Sequence, residues 1–190
     1  TTLQRIKKIT KMISNTPNGK KNLIISLYLW MCNQLLYYTC IINLDKIDNY
    51  VSYSFEIFFY TQILSTIILV FIYEYMSPIK VIYLSSTLNT INLLSLYFFR
   101  GSKIGRIVIF GSYSTLFNLT IQSIYIFIPQ LFEANIRASA VSYTKFPAKF
   151  LLILTPFLWG TNIALPIITL IILNSGIPVL LYNLCEEEKQ

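Results

Sequence analysis

Histidine is missing from this sequence altogether, and charge is scarce: Asp, Glu, Lys and Arg make up 12% of its 190 residues, against about 25% in a soluble domain. So little charge cannot clothe a soluble surface. The absence of histidine removes the commonest zinc ligand and the side chain that titrates nearest neutrality, leaving any proton coupling to a carboxylate. Cysteine is nearly as rare: Cys32, Cys40 and Cys185 have no metal-ligand spacing and are too few for a disulfide framework. No metal or other cofactor is expected, and no group calls for covalent chemistry, so an enzyme is not expected either. Alternation of apolar with polar residues is also lacking, and with it the signature of a membrane β-barrel.

Apolar runs stand where those features do not. Hydrophobic residues reach 55%, gathered in stretches of about 20 that match the hydrocarbon thickness of a bilayer. The expected class is all-α: a polytopic membrane protein whose six transmembrane helices run at about 22–44, 53–73, 79–99, 107–128, 137–159 and 163–184. The breaks between them are Asp45, Lys46 and Asp48; the turn from Glu74 to Lys80; Arg100 to Arg106; Pro129 to Arg137; and Gly160-Thr161-Asn162. Residues 1–21 carry Leu3, Ile6, Ile9 and Met12 three apart among basic residues, the pattern of a short amphipathic helix at the membrane surface. Residues 185–190 form a tail.

The net charge of +7 would suit nucleic acid were it spread along the chain. Instead Arg5, Lys7, Lys8, Lys11, Lys20 and Lys21 concentrate it before the first run, where a cytoplasmic membrane flank explains it better. Nucleic acid is therefore not an expected partner, and membrane lipid is. An even number of spans returns both ends to the cytoplasm. Lys80, Arg137 and Lys189 fall on that side, while Lys46, Arg100, Lys103 and Arg106 fall outside. The bias has the sign of the positive-inside rule, although the cluster from Arg100 to Arg106 runs against it. The plasma membrane is favoured, and an organellar membrane would relax the rule. The chain opens inside a basic stretch with neither Met nor a signal peptide and is read as part of a longer protein.

Charged and polar residues within the spans are the candidate site. Lys145 and Lys149 lie four apart on one face of the fifth span, and burying a central Lys costs roughly 2.5 to 3.5 kcal/mol. Lining a water-filled cavity and attracting an anionic group would justify that cost, with the deeper Lys149 contributing most; Lys145, near the helix start, could simply snorkel to the headgroups. Asn33, Gln34, Tyr37 and Tyr38 in the first span, and Asn118 and Gln122 in the fourth, offer hydrogen bonds and aromatic faces to an organic solute. Bonding between helices would explain the amides equally well. Glu56 and Glu74 bracket the second span near the two interfaces, where charge is tolerated.

Gln130-Leu131-Phe132-Glu133-Ala134-Asn135-Ile136-Arg137, followed by Thr155-Pro156, resembles the link between helices ten and eleven of the major facilitator superfamily. The likeness is to the organic ion transporter branch and the neighbouring sugar porters, where the link reads roughly E-L-F-P-T-x-x-R before a Ser-Pro or Thr-Pro. Leu131, Phe132, Arg137 and Pro156 match; Gln130, Glu133 and Ala134 depart. Further landmarks are the basic stretch before the first span, Leu27-Tyr-Leu-Trp30 with Tyr37-Tyr38, and Glu186-Glu-Glu-Lys189 in place of P-E-T-K. The family's G-R-R motif is replaced by Met76-Ser77-Pro78. The resemblance implies one half of a transporter, helices seven to twelve, with an N-terminal six-helix half as its partner. It makes Arg137, Glu133 and Glu74 gating residues. It sets Lys149 where anion carriers of the family tend to carry Arg and cation carriers Asp, so a small organic anion is the favoured solute and a sugar the second. A non-transporting accessory subunit on the same scaffold is the rival reading. A six-helix cation channel fares worse, for lack of a voltage sensor's Arg repeat and a carbonyl filter loop.

Overall fold

A computed structural model describes residues 18–42, 51–98, 103–158 and 164–187. Residues 1–17 of the amphipathic segment expected over 1–21, the turn at 160–162 and the last three residues of the tail lie outside them. Within the described residues every regular element is helical: α1 (Gly19–Ile42), α2 (Val51–Ile72), α3 (Pro78–Phe98), α4 (Lys103–Gln130), α5 (Arg137–Leu158) and α6 (Ala164–Glu187). Each overlaps one expected apolar run, and its bounds differ from those expected by a few residues. The tail expected from 185 continues α6 as far as Glu187.

Local chemistry sets the helix starts. Asn18 takes a left-handed φ of 59°, which Asn tolerates better than most residues, and its carbonyl accepts the Asn22 N–H at 2.9 Å. Ser77 precedes Pro78 at the head of α3, and the Ser77 carbonyl accepts the Val81 N–H at 3.1 Å. Proline suits that first position because its missing N–H would have had no intrahelical partner. α4 runs through Pro129 and closes with Leu131 N–H on the Ile128 carbonyl at 3.1 Å. The Glu133 carbonyl then takes the Ile136 and Arg137 N–H groups, which turns the chain into α5.

Large apolar side chains stand on the outside of the helices as well as in the core. α2 exposes Phe59, Ile63, Ile67, Val70 and Phe71 and turns Phe58, Ser65 and Leu69 inward. α3 exposes Leu84, Leu88, Ile91 and Leu94 and buries Ser85, Ser86 and Asn89. Exposed apolar faces of this extent mark a surface that meets another molecule or a membrane. By length and composition, however, among the described residues only Ile107–Gln130 of α4 is long and apolar enough to cross a membrane, and Glu56–Ile72 and Ile168–Leu181 are shorter apolar helices. The inward-facing Asn and Ser residues of α1 and α3 lower the mean hydropathy of those helices.

The buried polar groups join the helices. Thr61 of α2 meets Ser114 of α4 at 2.8 Å, and Ser85 of α3 meets Thr120 of α4 at 2.7 Å. Asn174 of α6 donates to the Ser86 carbonyl at 2.8 Å and to the Thr90 hydroxyl at 2.9 Å on α3. α1 is tied to α6 by the Tyr28 hydroxyl, which donates to the Leu173 carbonyl at 2.7 Å.

The packing follows a rule. The principal contacts join α3 with α4, α1 with α5, α3 with α6 and α2 with α4, followed by α1 with α6, α1 with α4 and α4 with α5. α1, α4, α3 and α6 thus close a four-helix ring, with α2 outside on α4 and α5 outside on α1. Exchanging each helix of the first three with its counterpart three places on maps these pairings onto one another, though not in extent; among the described residues only the α4–α5 contact has no counterpart of this rank. Buried asparagines obey the same exchange. Asn33 and Asn118 stand on α1 and α4, Asn89 and Asn174 on α3 and α6, each pair separated by the same 85 residues. Asn33 and Asn118 even bond alike, each Nδ2 donating at 3.0 Å to the carbonyl four residues back, of Leu29 and Ser114.

Candidate functional site

Of the six helices, α5 is the most amphipathic. Ala140, Thr144 and Ala148, spaced by four and fully buried, form the small-residue stripe that lets another helix approach closely. Lys145 stands beside this stripe, half-buried, eight residues into the helix, or about 12 Å at the usual rise. Its ammonium lies 4.5 Å from the Tyr125 ring centroid on α4 and 4.9 Å from that of Trp30 on α1, and it donates a hydrogen bond to the Tyr125 hydroxyl. The two rings meet edge to face, 4.8 Å apart at 76°, and make an aromatic corner with the cation beside both. Cation–π attraction and a charge-assisted hydrogen bond hold it there. Three helices thus converge on the Lys145 head group.

Lys149 is placed differently. One turn deeper, it is exposed and has no partner among the described residues. The two lysines share a side of α5, but only Lys145 sits in a formed environment.

The first-span candidates split between core and groove. Asn33 is fully buried, and its Oδ1 has no partner among the described residues. Gln34 and Tyr38 are half-buried. Tyr37 stacks on Phe117 of α4 at 5.6 Å and lies 5.9 Å from Phe58 of α2, with Tyr38 edge-on at 5.3 Å. Asn118 is buried on its own helix's carbonyl, and Gln122 reaches α2, donating to Thr66 at 2.9 Å. Gln122 thus serves helix pairing. A row of side chains, here called a lane, runs along α1 and α4 from the Trp30–Tyr125 corner past Gln34 to the Tyr37–Phe117 stack. The two ends are about 10 Å apart, the axial span of seven helical residues.

The expected gating residues share one end of the bundle. Glu133 is exposed in the α4–α5 link and Arg137 at the head of α5, where Arg137 Nε donates to the Phe132 carbonyl at 3.4 Å. Asn22 at the head of α1 donates to the Leu131 carbonyl at 2.8 Å, which fixes that link beside the start of the first helix. Glu74 is exposed in the α2–α3 turn and lines an open depression of about 430 Å³ with Tyr73, Tyr75, Met76, Ser77, Pro78 and Ile126. No contact among the described residues joins Glu74 to Arg137 or Glu133.

The sequence reading missed Trp30 and Tyr125, two aromatic residues among many, and Asn89 with Asn174. The repeated 85-residue spacing was the signal available for the asparagines. Trp30 also carries an indole N–H that is sealed from water and has no acceptor among the described residues. No protein-family model matches the chain, and no curated protein matches it.

Proposed function

We propose that this chain is the C-terminal half of a secondary transporter of the major facilitator type, a multi-pass membrane protein that moves a small organic anion by alternating access. The observation that carries the reading is the threefold-shifted packing, with its buried asparagines repeating at 85 residues. Two three-helix units that exchange in this way are the internal repeat on which such carriers are built, and an odd number of spans inverts one unit relative to the other. The exposed apolar faces of α2 and α3 support a lipid environment for helices whose mean hydropathy alone is modest. Both connections on the side of Asn22 then face the cytoplasm, in keeping with the basic tract.

The anion is favoured by Lys145 and Lys149. A cation held about two fifths of the way across the hydrocarbon layer is a functional feature by default, and the α1–α4 lane beside it offers an amide and aromatic faces to the rest of the solute. Lys145 serves as the anchor and Lys149 as an exposed second charge. Proteoliposomes carrying the full-length protein should take up a labelled aromatic carboxylate. Lys145→Ala should slow that uptake about tenfold, the loss of one charge-assisted contact, and Lys149→Ala should slow it less. Full uptake by both variants would remove the lysines from the site, and no uptake of any organic anion by the wild type would defeat the transporter reading.

A further inference from the structure

The aromatic corner raises a question of charge. Trp30 and Tyr125, from α1 and α4, meet edge to face with their planes nearly perpendicular, and aromatic rings attract a positive nitrogen. In the folded chain that nitrogen is supplied from within. The Lys145 ammonium sits between 4.5 and 4.9 Å from both ring centres, well inside the range of about 6 Å over which the attraction acts. It is carried by a third helix on a flexible four-carbon stem, so the corner keeps its walls when the stem is shortened. Tyr125 is nearly half exposed, at 46%, so the corner is open on one side.

We propose that Lys145 is the residue that decides the sign of the solute's charge: it is a tethered ammonium that fills a cation-binding corner made by Trp30 and Tyr125. With Lys145 in place an organic cation meets an occupied corner and a like charge. An organic anion instead meets the N–H bonds that the Tyr125 hydroxyl leaves free. Without the ammonium the same walls accept a free quaternary or primary ammonium ion. This inference rests on the reading of the α1–α4 lane as a solute path, and it assigns opposite charge preferences to one pair of rings, depending on a single side chain.

Binding rather than transport tests it, so that the two readings can fail separately. Choline is titrated against the full-length protein in nanodiscs, with thermal unfolding as the readout. The wild type should show little shift, Lys145→Ala should bind choline at least about tenfold more tightly, and adding Trp30→Leu to Lys145→Ala should abolish the gain. Lys145→Gln keeps a hydrogen-bond donor for Tyr125 without the charge, and should gain choline affinity less strongly; it also serves if the alanine variant does not fold. Equal choline affinity in the wild type and in both variants would overturn the proposal, as would a gain that survives loss of the Trp30 ring. A choline gain in a protein that carries no solute at all would leave the corner standing and defeat the transporter reading.

Discussion

Alanine in place of a helix-interior glycine ordinarily stabilises the helix by about 1 kcal/mol; at Gly176 it should do the reverse. Gly176 faces Tyr28 across the α1–α6 contact, and a Cβ there would collide with the Tyr28 hydroxyl and lie 3.0 Å from the ring carbon that bears it. The next ring carbon, at 3.6 Å, is in ordinary contact. The tyrosine would have to swing away and abandon its 2.7 Å bond to the Leu173 carbonyl, a loss of about 1 kcal/mol. Crowding a packed contact costs a further 1–3 kcal/mol or so. Set against the helix gain, Gly176→Ala should destabilise the full-length protein by about 1–3 kcal/mol in SDS titration of mixed micelles followed by tryptophan fluorescence. Tyr28→Phe removes the colliding oxygen, so combining it with Gly176→Ala should cost less than the two changes summed, by about 1 kcal/mol. A Gly176→Ala protein as stable as the wild type, or additivity in the double variant, would show that Tyr28 does not pack over Gly176.

The small-residue stripe of α5 predicts that Ala148→Leu destabilises the same protein by about 2–3 kcal/mol through the α1–α5 contact, whereas Ala138→Leu, on an exposed position, should stay within about 0.5 kcal/mol of the wild type. The lipid-facing reading of α2 predicts that nitroxides at Ile63→Cys and Ile67→Cys in vesicles relax strongly with oxygen and weakly with a water-soluble nickel complex, and that one at Ser65→Cys responds to neither. Stronger relaxation by the nickel complex at Ile63 would refute a membrane-embedded α2.

The order of importance of the two lysines could not be read from spacing. Four residues apart, Lys145 and Lys149 share a side of α5, and depth alone favours Lys149. The difference lies in what the neighbouring helices bring opposite each one. Trp30 and Tyr125 are 95 positions apart in the chain, and nothing in their own segments marks them as a pair. Gln122 is a similar case: nothing in its own segment shows that its amide reaches across to Thr66 of α2. The asparagines were more legible than they looked, because a fixed 85-residue spacing is a property of the sequence, but the spacing acquires meaning only when the helices that carry them are seen to exchange.

Helix content and position belong to the sequence, since long charge-free apolar runs broken by Pro, Gly and charge leave the backbone no better way to satisfy its hydrogen bonds away from water. Which faces of those helices turn inward, and that Lys145 rather than Lys149 closes an aromatic corner, were decided by tertiary packing alone. The reason is physical: a helix fixes the direction of each side chain about its own axis, and only the neighbouring helices fix what that direction meets.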